Sequence, residues 1–357
     1  MYIYGILNSN TSLHLSIPKG LLSDPSQAGA GKVCRAGLEE SESNMAYTVV
    51  YQDIAALVRD SEIINPTRMS KDVLSRLLIS HQTVIEKVMT TQVTIIPMQF
   101  GTFARDEDEV RDVLIKGYNL IKEIFTKIKD KIEIDIAGTW SDFDSIIKEA
   151  GEEKEIKEFK EKLLSNPKAI TAEDQMKAGF MLKKTLDKKR DNIAKEIQDT
   201  LKTFCVDFKT HELMDDKMLV NAAFLIDKDK RGDFDKKVEE LNDKFNEKVN
   251  FRCVGPLPPY SFYALEVKKL EFEEIVWAKE KLGLLNESAV KEDIKKAYHV
   301  KAVSSHPDKN PGSHTAEKEF DDAGRAHKAL LEYCQGESCS FKEGDFQKSS
   351  ILVKVKE

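Results

Sequence analysis

Apolar positions repeat at two different periods along this chain, and the switches between them divide it into elements. From Ser70 onward, Leu74, Leu77, Leu78, His81, Val84, Ile85, Val88 and Met89 return every three or four residues with polar residues between them. That is the spacing of an amphipathic helix with one buried face. A second stripe, Val110, Val113, Leu114, Tyr118, Ile121, Ile124, Phe125 and Ile128, predicts another helix, and its acidic start at Asp106 to Glu109 suits the positive end of a helix dipole. Tyr2 to Ile6, Ala46 to Tyr51 and Val93 to Ile96 read as strands, the last followed by a glycine-centred turn. Ile132, Ile134 and Ile136 alternate with charged residues, so Lys131 to Ala137 reads as a half-buried strand closing an N-terminal α+β domain over residues 1–140. The Ser, Gly, Ala and Pro content of residues 18–43 reads as a long loop.

Beyond Trp140 the apolar positions thin out. Residues 141–202 are rich in Lys and Glu, with Ile193, Ile197 and Leu201 among the few periodic apolar residues, which predicts a helical connector partly exposed to water. Strand patterns return at Phe204 to Phe208 and Met218 to Ile226, a helix follows at Asp233 to Phe245, and strand-like pieces lie around Phe251 and at Phe262 to Val267. That order predicts a small ferredoxin-like α+β domain over 203–270. Val290, Ile294, Ala297 and Tyr298 mark one helix, Phe320, Ala323, His327, Leu330 and Leu331 another, and a proline-rich loop joins them: a helical hairpin within 271–335. In the tail, 336–357, Ile351, Leu352, Val353 and Val355 suit either a last strand or a loose end. The fold class is therefore α+β, two such domains joined by a helical arm, with a C-terminal hairpin.

Composition narrows the function. Apolar residues are 41% of the chain and charged residues 33%, enough hydrophobic material for packed cores. Lys and Arg number 55 against 62 Asp and Glu, a net charge of -7 with the signs interspersed, so no basic field for nucleic acid is expected. Five cysteines, Cys34, Cys205, Cys253, Cys334 and Cys339, are odd in number and mostly isolated, and the N-terminus carries no secretory pattern. Reduced thiols in a cytoplasm are the expectation. No apolar run approaches the roughly 18 residues of a membrane span. No nucleophile, base and orienting group occur together, so neither an enzyme nor a cofactor is expected.

The loop of the hairpin carries the sharpest motif, His306-Pro307-Asp308-Lys309-Asn310-Pro311-Gly312, whose prolines exclude helix and present side chains outward. With Leu282-Gly283-Leu284, Ile294 to Tyr298, Glu319-Phe320 and Ala326 to Leu330, it resembles a J-domain in order and spacing. The resemblance implies that the loop engages an Hsp70 chaperone and stimulates its ATPase, with a basic second helix as the docking face. His306, Pro307, Asp308, Lys295 and Lys296 match those positions. Lys301 stands where that family has a core leucine and His327 where it has an aromatic. Because a buried lysine is costly, a shifted packing register is expected.

A second resemblance, to the gas vesicle protein F/L family, runs from about Tyr2 to Val267. It is carried by Tyr2 to Ile6, Asp53 to Val58, His81 to Met89, Ile96-Pro97-Met98-Gln99-Phe100-Gly101-Thr102, Val220 to Leu225 and Gly255-Pro256-Leu257-Pro258-Pro259-Tyr260-Ser261-Phe262. Three prolines in four positions stiffen the last of these and fix how the chain enters the next strand. The family has an aromatic at Leu257 and an arginine at Gln99. The resemblance implies an accessory or minor shell protein, located in the cytoplasm and at the gas vesicle, that binds the major shell protein and other gas vesicle proteins and assists assembly. The alternative is a J-domain cochaperone bringing Hsp70 to unrelated clients. Pro97, Phe100, Gly101, Gly255, Pro256, Pro258, Pro259 and Tyr260 are then structural positions.

Three other patterns carry less. Gly29-Ala30-Gly31-Lys32-Val33 imitates a phosphate loop, but Ser26 replaces its first glycine and Val33 its magnesium-holding hydroxyl. Asp227, Asp229, Gly232 and Asp235 imitate a calcium loop, but Arg231 and Val238 fall at ligand positions, and a turn before a helix explains them. Cys334 and Cys339 with His306 and His314 match no standard zinc spacing. His81, on an apolar stripe, reads as a core histidine.

Overall fold

The computed structural model describes residues 1–17, 45–61, 70–91, 93–165, 170–246, 248–346 and 350–356. The loop expected at 18–43, with Cys34 and the phosphate-loop imitation, lies outside them. The chain forms two compact units, Met1–Phe125 with Ala264–Glu357, and Thr126–Tyr263.

The first unit opens with five strands, β1 (Tyr2–Leu7), β2 (His14–Ser16), β3 (Met45–Tyr51), β4 (Ile54–Arg59) and β5 (Ile95–Pro97), in the antiparallel order β2-β3-β4-β1-β5. Central β1 and β4 are buried along their whole length, which is why they read as continuous apolar runs. β1 carries an irregularity between Ile3 and Gly5. A Cβ on Gly5 would lie 2.7 Å from the Ile96 carbonyl oxygen, so only glycine admits this close approach of β5. Helix α1 (Lys71–Met89) is capped by Ser70, whose hydroxyl accepts from Val73 N, and buries His81, Val84, Ile85 and Val88. Helix α2 (Glu107–Ile128) begins on Glu107, Asp108 and Glu109.

The second unit contains β6 (Lys131–Trp140), α3 (Phe143–Gly151), α4 (Lys154–Leu164), α5 (Ala172–Lys202), β7 (Asp207–Thr210), β8 (Met218–Asp227), α6 (Arg231–Lys244), β9 (Val249–Leu257) and the short α7 (Tyr260–Tyr263). Its sheet is antiparallel in the order β7-β8-β6-β9. Numbered within the unit this is 2-3-1-4 with helical crossovers after strands 1 and 3, the ferredoxin-like βαββαβ arrangement. Two sequence expectations change accordingly. Lys131–Trp140 does not close the N-terminal domain: it is the first and a central strand of the ferredoxin-like sheet. Residues 141–202 are not a connector between domains: they are its first crossover, and α5 buries Ile197 and Leu201 completely. Periodicity could not reveal this, because a strand's partners depend on long-range pairing that its own pattern does not encode. Thr171 and Asp174 close a capping box at the start of α5. Asp227 to Arg231 form a 3-10 turn leading into α6.

The remaining elements return to the first unit: β10 (Leu265–Lys269), α8 (Phe272–Leu282), β11 (Ser288–Val290), α9 (Lys291–Ser304), α10 (His314–Tyr333), β12 (Ser338–Ser340), α11 (Glu343–Phe346) and β13 (Ile351–Val355). The expected strand at Phe262 to Val267 is thus a helical turn and then β10, outside the ferredoxin-like sheet. β10 pairs with β13, so the tail is a strand, and Leu265 bridges Met98 just beyond β5. Helices α8, α9 and α10 enclose a core of Ile275, Ala278, Leu282, Ile294, Ala323, Ala326 and Leu330, which Phe341 and Phe346 extend. Gly283 ends α8 at φ +70°, the left-handed C-terminal cap that glycine adopts without strain.

Candidate functional site

The loop between α9 and α10 holds itself together. Lys309 N and Asn310 N donate to His306 O at 3.0 and 3.1 Å, and Asn310 Nδ2 donates to Ser304 O at 2.9 Å and to His306 O at 3.2 Å. Asp308 N donates to His306 Nδ1 at 3.1 Å, and the His306 ring meets Phe320 edge-on at 5.4 Å. Gly312 takes φ +77°, and Ser313 caps α10 by accepting from Ala316 N. Pro307 and the Asp308 carboxylate stand in solvent, and the histidine ring is half exposed. Lys295 and Lys296 are exposed on α9, as are His299 and Lys301.

Lys301 is not buried. The inner seam of α9 runs through Ile294, Ala297 and Tyr298 to half-buried Ala302 and buried Ser305, a register that sends the lysine outward. His327 takes the aromatic position by stacking on Tyr298, ring centres 4.2 Å apart and planes 12° apart. Burial, with Lys295 nearby, lowers its pKa, so it packs as a neutral ring. Helices α8 and α10 are tied by Asp322, which accepts from Lys281 at 2.9 Å and from Arg325. Cys334 and Cys339 both lie against the Ala289 carbonyl, and burial pushes the Cys339 thiol up to about 12, away from thiolate chemistry.

The remaining motif residues fall in two places. In the first unit Pro97 pairs with Gly5, Gly101 turns at φ +85°, and Phe100 packs 5.8 Å from His81. His81 accepts or donates at Nδ1 to Tyr2 OH at 2.7 Å, and burial lowers its pKa to about 4. In the second unit Gly255, at φ +152°, and Pro256 form an irregularity in β9 opposite Glu133 and Asp135. A Cβ on Gly255 would approach the Glu133 carbonyl oxygen to 2.9 Å. Pro258 and Pro259 start α7 by accepting from Tyr260 N and Tyr263 N.

That turn covers a group the sequence pattern did not single out. Glu133, fully buried, accepts from Ser261 N at 2.9 Å and from Ser261 Oγ at 2.7 Å, and Ser261 Oγ lies 3.2 Å from His211 Nε2. Burial, with the Asp135 carboxylate close by, pushes Glu133 up to about 8. Asp135 is raised too, chiefly by burial. Two carboxyl groups in one dry place cannot both ionise cheaply, so the pair holds a proton at neutral pH. The only local signal was that Glu133 and Asp135 occupy the face of β6 opposite its three isoleucines. That pattern reads as solvent-facing until α7 is seen to fold over it.

Similarity to known proteins divides the chain between residues 264 and 280. The family model described as gas vesicle synthesis protein GvpL/GvpF matches residues 1–264, and the DnaJ domain model matches residues 280–333. Gas vesicle protein F of Nostoc is 25% identical over 189 residues, covering 52% of this chain and 77% of that protein. Gas vesicle protein F2 of Halobacterium salinarum is 23% identical over 269 residues, covering 75% and 93%. The crystal structure of the gas vesicle protein GvpF from Anabaena superposes with a TM-score of 0.58 at 21% identity, covering 73% of this chain and 96% of that one. The chaperone protein DnaJ of Bacteroides fragilis is 51% identical over 51 residues, 14% of this chain and 13% of that protein.

Proposed function

This chain belongs to the gas vesicle synthesis protein GvpL/GvpF family and carries a DnaJ domain, and from that premise we propose that it is a non-enzymatic assembly factor of the cytoplasm. On this reading the two α+β bodies hold the major shell protein and other gas vesicle proteins, while the J-type loop recruits an Hsp70. The observation that carries it is the coexistence, in one chain, of the family's α+β bodies with an intact three-helix module presenting His306, Asp308, Lys295 and Lys296 outward.

An apolar shell subunit needs an apolar receiving surface. In the second unit a groove of about 270 Å³ runs beside α3 and α5, lined by Trp140, Phe143, Ile147, Leu182 and Leu186. Met176 and Phe180 on α5 are 76% and 70% exposed, which is unusual for residues of their size. We assign this face to shell-protein binding.

The test is co-expression with the gas vesicle proteins, capturing the full chain and its His306→Gln variant and measuring Hsp70 ATPase stimulation for each. Both forms should capture the shell protein. Only the unsubstituted chain should stimulate the ATPase, because His306 is half exposed and its loss leaves the helical core intact. Hsp70 stimulation without capture of shell protein by either form would favour the general cochaperone instead.

A further inference from the structure

A small cavity in the first unit is lined by a buried arginine. It has a volume of about 20 Å³ and is lined by Tyr4, Arg59, Ser80 and the aromatic rings of Tyr2, Phe100 and Phe103, with His81. Arg59 is only 8% exposed and Ser80 2%. The Arg59 Nε is buried without a hydrogen-bond partner among the described residues, and the Ser80 Oγ makes no well-formed hydrogen bond there, its nearest polar neighbour being the Tyr4 hydroxyl. Arg59 also has no ion pair there. Asp60, next in the chain, accepts instead from the Tyr47 hydroxyl at 2.9 Å, and Glu109 is held by Lys269 and Arg105. The Tyr4 hydroxyl feels the Arg59 charge and a weak hydrogen bond from Ser80, but burial is the larger effect, raises its pKa and keeps it neutral, so it brings no counter-charge. A guanidinium cannot shed its charge, and a buried cation with no counter-charge is costly.

We propose that this cavity binds a carboxylate, one of whose oxygens takes hydrogen bonds from Arg59 Nε–H and Ser80 Oγ–H. The volume admits a single water-sized atom, which suits one carboxylate oxygen with the rest of its molecule outside and leaves no room for a phosphate. The aromatic rings bring no negative group to the site and make its walls largely apolar, which strengthens both hydrogen bonds. This inference does not depend on the assembly-factor reading.

The test uses the full chain, labelled with nitrogen-15 and titrated with sodium formate or acetate at constant ionic strength, chloride being the balancing anion. The Arg59 Nε–H signal, assigned by its loss in Arg59→Lys, should shift saturably with either carboxylate. Ser80→Ala, a small change that leaves the charge in place, should weaken binding roughly tenfold, as expected for one hydrogen bond to a charged group. A peptide bearing a glutamate, run as a parallel arm, separates the sources. Tighter saturation by the peptide assigns the carboxylate to a protein side chain, and tighter saturation by formate or acetate assigns it to a small acid. A signal that ignores carboxylates, responds equally to chloride, or is indifferent to Ser80→Ala overturns the proposal.

Discussion

Glu133 shows how far a residue's environment can depart from its sequence pattern. Its carboxyl accepts two hydrogen bonds from Ser261 yet sits dry beside Asp135. In the unfolded chain it would ionise near pH 4.5, whereas in the folded chain it holds its proton to about pH 8. Between those values the folded state binds more protons than the unfolded one, so this site's contribution to stability falls as pH rises and its cost is complete above about pH 8. Glu133→Gln keeps an acceptor for Ser261 and cannot ionise. Its melting temperature should match that of the unsubstituted protein near pH 4.5 and exceed it by several degrees at pH 8.5, read by differential scanning calorimetry. Arg59, by contrast, stood at the end of an apolar run, Ile54 to Val58, and nothing in its neighbours announced a buried guanidinium.

At the scale of elements, the helical hairpin was legible because its loop chemistry is local. Prolines, glycine and a Ser cap act within a few residues of themselves, so His306 to Ser313 could be placed as a loop before any packing was known. The seam of α9 was harder to read, since whether Lys301 points in or out depends on how α9 rolls against α10. The stack of His327 on Tyr298 supplies the element-level prediction. The Nε2 of His327 is buried without a partner among the described residues, so replacing the ring by phenylalanine keeps the stack and removes an unmet polar atom. His327→Phe should stabilise the protein by about 1 kcal/mol at neutral pH. Because the histidine's pKa is lowered by folding, the unsubstituted protein loses stability as pH falls through the ordinary histidine range, and the advantage of the variant should widen there. Urea denaturation at pH 7.5 and 5.5 measures both.

At the scale of the whole molecule, the tail is part of the folded structure. β13 pairs along the full length of β10, and Phe341 and Phe346 enter the core shared by α8 and α10. Removing residues 336–357 should therefore cost several kcal/mol, on the order of 3–5 for each buried phenylalanine. It should also strip hydrogen-exchange protection from amides of Leu265 to Lys269, while protection in β6 and β8 of the other unit persists. Retained protection in β10 would contradict this account. The same pairing is why a point change at His306 separates the two proposed activities more cleanly than truncation.

The sequence alone settled the elements whose causes are local: the two long amphipathic helices, the proline loop with His306 and Asp308, the proline-stiffened segment after Gly255, and the α+β character of the chain. It also carried the family, because those motifs are read residue by residue. Tertiary structure decided which strands share a sheet, moving Lys131–Trp140 into the ferredoxin-like unit and turning residues 141–202 into its crossover. It also decided which polar groups are buried together, bringing Glu133 to Ser261 across 128 residues and placing Arg59 in a cavity walled by aromatic rings. Strand partnership and burial are set by contacts between distant segments, and a pattern confined to a few neighbouring residues does not contain them.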